Sequence, residues 1–195
     1  MISRGVLGQA SPPTRYRARA RLACSLWDHD RGRMQQPRVA ARILLQDSDF
    51  CLASWHDTLF CVYRGPASVE HVTVSSKHCR ALIERTKGKA TYLSIIERSS
   101  PAPSEEVRRV LAVWSRDVVT KMTVAVIVAE GGGFKNALVR GVGVALTALI
   151  PHKVPFKFSS TAAEGVQLLS RYLPAEHGGA AELLLAVEEV RANWV

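Results

Sequence analysis

The sequence predicts an α/β fold, and three observations carry that expectation. Two aromatic-rich apolar runs, Phe50 to Trp55 and Thr58 to Tyr63, are separated only by His56-Asp57, the signature of a β-hairpin. Two later β-branched runs, Ala90 to Ile96 and Met122 to Ala129, have the form of strands buried on both faces. The segments between and after them carry apolar residues at helical spacing.

Each element follows from local chemistry. Gly65-Pro66 ends the hairpin. From Val69 to Thr86, Val72, Cys79, Leu82 and Ile83 form a helical stripe, with Gly88 as its C-cap. After the strand Ala90 to Ile96, Ser104 caps a second helix whose Glu105 and Glu106 complement the positive end of the helix dipole. Val107, Val110, Leu111, Trp114 and Val118 make its apolar stripe. Gly131-Gly132-Gly133 breaks the strand Met122 to Ala129 and leads into a third helix, about Phe134 to Ile150, stopped by Pro151. Val154 to Phe158 is a last short strand. Ser160-Thr161-Ala162-Ala163-Glu164 fits a capping box at the head of a fourth helix that ends near Leu173. The elements alternate as ββ-α-β-α-β-α and a last helix closes the core, so the sheet is mixed and its later strands are largely parallel. Ala180 to Trp194 forms a further amphipathic helix with Leu183, Val187, Val190 and Trp194 on one face. It either docks on the body or binds a partner.

Composition narrows the class. The 195 residues are 47% hydrophobic, 22% charged and 7% aromatic, with a formal charge of +9. Residues 1–42 hold nine arginines against Asp28 and Asp30, so most of the basicity sits in an N-terminal arm that reads as disordered. Its Arg-rich, acid-poor composition overlaps that of an organelle transit peptide, and a second reading starts translation at Met34, leaving residues 1–33 outside the natural protein. The body, residues 43–195, is close to neutral and shows no basic face with interleaved aromatics, which speaks against a nucleic-acid partner. No apolar run reaches the roughly 18 residues of a membrane span. Cys24, Cys51, Cys61 and Cys79 form no C-x-x-C pair, and a two-residue turn puts Cys51 and Cys61 on opposite faces, so a reducing compartment, the cytoplasm, is expected. The expected organisation is an arm over 1–42, an α/β domain over 43–174, and a linker with the amphipathic helix over 175–195.

Over about residues 45–174 this element order resembles the STAS domain. That is the fold of anti-sigma-factor antagonists and of the cytoplasmic tails of sulfate transporters, and a related bacterial group joins STAS-like and CRAL-TRIO-like features. The family motif reads Asp-Ser-Ser/Thr-Gly at the start of the second helix, where one hydroxyl accepts a phosphate. Here the matching stretch is Glu97-Arg98-Ser99-Ser100-Pro101-Ala102-Pro103-Ser104. The acid and the serines are present, the glycine is absent, and two prolines intervene. The resemblance implies Ser99, Ser100 or Ser104 as phosphate acceptor, each with a plain alternative as loop residue or N-cap.

Other candidates rest on the residues themselves. Glu97 and Glu130 each follow a buried strand, at the carboxyl ends where open α/β sheets gather ligands. Gly131, Gly132 and Gly133, with Lys135 and Arg140 on the next helix, are candidates for an anion cradle, although a tight turn explains the glycines as well. His71, His78 and Cys79 are spaced too widely along a helix to share a metal. Neither Gly-x-Ser-x-Gly nor His-Glu-x-x-His occurs. The expectation is a non-enzymatic regulatory or protein-interaction module without cofactor or metal, with a protein partner and self-association to a homodimer both open. The alternative is a carrier or sensor of a small apolar ligand such as a lipid, seated beside the glycine-bearing third helix.

Overall fold

Alternation of side chains along the strands decides the layers. In β2 (Phe50–Trp55) and β3 (Thr58–Tyr63), Cys51, Ala53, Trp55, Phe60 and Val62 face one side of the sheet, whereas Phe50, Leu52, Leu59, Cys61 and Tyr63 face the other. Both sets are buried, so helices must cover both faces. The structure, a computed structural model, describes residues 40–131, 141 and 156–194. All described elements belong to one unit, Val39–Val195.

The fold is α/β with a six-stranded mixed sheet in sequential order, from β1 (Arg42–Gln46) through β2, β3, β4 (Thr91–Ile96) and β5 (Val124–Ala129) to β6 (Phe156–Ser159). The β1–β2 and β2–β3 pairs are antiparallel, and the pairs from β3 to β6 are parallel. Helices α1 (Val69–Thr86) and α2 (Glu105–Asp117) are the crossovers β3–α1–β4 and β4–α2–β5, and they share one face, as crossovers of one hand between neighbouring strands require. The other face is covered by α3 (Ala162–Ser170) and α4 (Gly179–Ala192). The last helix is therefore part of the core, with Leu183, Val187, Val190 and Trp194 buried together. No helix among the described residues is long and apolar enough to cross a membrane.

The sheet begins one strand earlier than the hairpin. β1 has only half-buried and exposed residues, and its pairing slips between Ile43 and Leu45, so a clean period of two never develops. The helix expected over Phe134 to Ile150 lies outside the described residues, save Gly141, which is helical and exposed.

Caps follow the expected chemistry, with two local differences. Ser68 caps α1 by accepting from His71 N–H, and His71 Nδ1 accepts from Ser68 N–H, so histidine fills the role that Glu or Gln takes in a capping box. At the far end Lys87 (φ 53°) and Gly88 (φ 83°) both adopt the left-handed region, so Gly88 shares the turn that it was expected to make alone. Ser104 caps α2 by accepting from Val107 N–H. Thr161 caps α3 by accepting from Glu164 N–H, while the Glu164 carboxylate reaches past Thr161 to accept from Ser160 N–H.

Gly165 on α3 sets how closely that helix lies on β5. A Cβ there would strike Val128 Cγ2 and come within 2.9 Å of Ser159 Oγ. Alanine in an open helix site gains about 1 kcal/mol over glycine. Here overpacking wins, and Gly165→Ala is expected to destabilise the fold by about 1–3 kcal/mol in urea denaturation.

Candidate functional site

The carboxyl ends of the parallel strands hold a row of charges placed by register. Tyr63, Ile96 and Ala129 stand in line across β3, β4 and β5. The next residues continue the ladder: Glu97 N–H donates to Tyr63 O and Glu130 N–H to Ile96 O, both at 2.9 Å. Alternation carries Phe60-Val62 on to Arg64, Leu93-Ile95 on to Glu97, and Val126-Val128 on to Glu130. All three charged side chains thus lie on the face that α4 covers.

Helix α4 brings Arg191 to this row. Its Nη1 and Nη2 donate to the two oxygens of Glu130 at 3.0 and 2.8 Å, a bidentate pair, while its Nε donates to Glu97 Oε1 at 3.1 Å. Glu188, one turn back on α4, accepts from Nη1 at 3.4 Å. The Glu97 and Glu130 side chains are only 15% and 23% exposed. Burial opposes the charge on Arg191, yet the hydrogen bonds and field of Glu130, with Glu188 and Glu97, hold its guanidinium above the ordinary pKa.

Arg64 closes the cluster from the hairpin side. It donates through Nε to Glu97 Oε2 at 3.3 Å, and through Nη2 and Nη1 to the Arg191 and Trp194 carbonyls at 2.7 and 3.4 Å. These are carbonyls at the end of α4 that its own ladder leaves open. The guanidinium also stacks 4.2 Å from the centre of the Trp194 ring.

Beside it the β1–β2 turn is tied down twice. Trp194 Nε1 donates to Asp47 O at 2.6 Å, and His71 Nε2 lies 2.9 Å from Asp47 Oδ2. With Nδ1 already accepting from Ser68, the network assigns the His71 proton to Nε2. Burial raises the Asp47 pKa, but the N–H groups of Asp49 and Phe50 and the His71 ring together hold it below the usual carboxylate value. This Asp–His pair joins turn to helix: both ring nitrogens are engaged, and the ring lies stacked on Phe50 at 4.5 Å.

The remaining expected residues divide clearly. Ser99 Oγ donates to Arg64 O and Ser100 Oγ to Gly65 O, both at 2.8 Å. Ser99 is exposed, Ser100 is 2% exposed, and Ser104 is the exposed N-cap of α2. Gly131 has φ 108°, and a Cβ there would press on the Arg98 side chain at 3.3 Å. Gly132, Gly133, Lys135 and Arg140 lie outside the described residues, as does the segment proposed to border an apolar ligand. A shallow groove between β1 and α4, lined by Ala40, Ala41, Ile43 and Val190, holds about 150 Å³, below the roughly 300 Å³ of small-ligand pockets. Among the described residues no group of three or more His, Cys, Asp or Glu side chains could hold a metal ion.

Cys51, Cys61 and Cys79 are free thiols, all buried, with Cys51 and Cys61 on opposite faces as expected. Burial pushes Cys51 and Cys61 up to about 11 and Cys79 higher still, so none is a nucleophile at neutral pH. Arg64, Arg191, Trp194, Asp47 and His71 were not singled out as site residues from sequence. Continuing each strand's alternation by one residue would have found Arg64 in line with Glu97 and Glu130.

Among the described residues each carboxylate of the row accepts from a guanidinium, and the end of α4 lies against the carboxyl ends of β4 and β5, where open α/β sheets bind ligands. No protein-family model, no curated protein and no solved structure matches this chain.

Proposed function

We propose that the chain is a STAS-like regulatory and protein-interaction module without chemistry of its own, and that it presents the loop from Glu97 to Ser104 to a protein partner. The observation that carries this reading is how the loop is held. Two serine hydroxyls fasten it to the Arg64 and Gly65 carbonyls, while Arg98, Ser99, Pro101, Ala102 and Ser104 stay exposed. A surface ordered before binding loses less entropy when a partner docks.

Within this reading Ser99 is the regulated hydroxyl. Its bond to Arg64 O links the loop to the residue that clasps the end of α4. A phosphate there, of charge about −2, would remove the donated O–H and draw on the Arg64 guanidinium. Ser100 is buried, and phosphate on it would first require the loop to open.

A photocrosslinking residue at exposed Ala102, compared with one at exposed Ala81 on α1, tests the reading in the native host. The expected result is one protein crosslinked from position 102 and absent from 81, its yield falling about tenfold in Ser99→Asp. Equal products from both positions, or none from 102, would overturn it. Native mass spectrometry of the gently purified protein gives a second readout, since a retained lipid-sized mass in place of a protein partner would also overturn it.

A further inference from the structure

We infer that the stacked His56–His177 pair is an acid-sensitive fastening between the β2–β3 turn and the start of α4. The two imidazoles lie face to face, ring centres 4.3 Å apart and planes within 10°. Trp55 meets both edge-on, at 4.5 and 6.2 Å, and is itself fully buried. His56 sits in the two-residue turn with φ 48°. His177 ends the 3-10 turn Ala175–His177, which Gly178 joins to α4. The contact therefore joins two segments far apart in sequence at the end of the sheet opposite the Arg64–Arg191 cluster.

The geometry excludes metal sharing. Imidazole lone pairs lie in the ring plane, and two rings stacked face to face cannot aim them at one ion. It also disfavours two charges. Among the described residues His177 Nδ1 is buried without a hydrogen-bond partner, and it lies beside the His56 ring. The charged groups around His56 are Asp57 in the same turn, Glu182 on α4 and Arg85 on α1. Arg85 donates to His56 O at 2.8 Å and pairs with Asp57 at 3.6 Å, so that carboxylate is already shared. The Glu182 carboxyl folds back beside Gly178 at the first turn of α4.

One proton is accommodated by these carboxylates, whereas a second places like charges one ring apart. Burial, then the neighbouring His177, lower the His56 pKa. A histidine lowered in the folded state contributes stability that is present above its ordinary pKa and is lost as pH falls. Mild acid thus separates the rings, lifts residues 175–182 from the turn, and uncovers Trp55. Histidine is the side chain whose ordinary pKa places its charge change between about pH 5 and 8.

Hydrogen exchange on the full chain, corrected for intrinsic rates, tests this. Between about pH 7.5 and about pH 5 the amides of 175–182 are expected to lose protection about tenfold, while those of α2 change little. His177→Phe keeps a stacked ring without a titrating nitrogen, and His56→Asn suits the left-handed turn. Either variant is expected to flatten the response to less than about twofold. Unchanged protection in the wild type, equal loss in α2, or an acid response that survives in both variants would overturn the inference.

Discussion

Trp194→Ala is expected to lower the unfolding free energy by about 3–5 kcal/mol, the range for a large buried aromatic removed from a core. Trp194 is 8% exposed and sits in the same apolar cluster as Val187 and Val190 of α4 and Ala53 and Trp55 of β2. Its loss also strips Asp47 O of the donor Nε1 and leaves the Arg64 guanidinium without the face it stacks on. Those effects are coupled, so Arg64→Met in the Trp194→Ala background should cost less than in the wild type by about 1 kcal/mol or more. Trp194→Phe restores most of the packing but not the hydrogen bond, and should recover all but about 1–2 kcal/mol. Urea denaturation of the wild type and the four variants checks the set. A cost below about 1 kcal/mol for Trp194→Ala would show that the end of α4 adds nothing to the fold.

Arg191→Met is expected to cost about 2–3 kcal/mol at neutral pH, less than a fully buried broken pair because the carboxylates retain some solvent. Glu130 bears most of this, since Arg64 still faces Glu97 when Arg191 is gone. Glu130→Gln added to Arg191→Met should recover stability, because an uncharged amide replaces an unpaired charge. Thermal or urea unfolding of the single and double variants measures both effects. A double variant less stable than Arg191→Met would refute the assignment of Arg191 as the cation that holds Glu97 and Glu130 together.

The row of charges shows how far reading along the chain extends. Glu97 and Glu130 were legible because each follows a run of buried strand residues, where α/β sheets present functional groups. Their partner was not. Arg191 lies 94 and 61 residues away from them, on a helix whose docking nothing local announces. The apolar face of that helix predicted burial against something, but an amphipathic stripe does not name its cover. The serines show a similar division. Capping chemistry marks Ser104 from its neighbours alone, whereas the burial of Ser100 follows from a carbonyl 35 residues earlier. The edge strand β1 escaped for a physical reason of its own: none of its residues is fully buried and its register slips, so the alternation that betrays a strand is absent.

Local chemistry alone determined the α/β class, the hairpin with His56-Asp57 at its tip, the run of α1 from Val69 to Thr86, and the caps at Ser104 and Thr161. Those features depend on interactions within a few residues, or on periodicity that one strand or helix displays by itself. Tertiary structure decided that α4 belongs to the core, that Arg191 and Arg64 pair with Glu97 and Glu130, and that His56 meets His177. Each of these depends on which distant surfaces exclude water together, and burial is non-directional: an apolar stripe demands a partner without specifying which one.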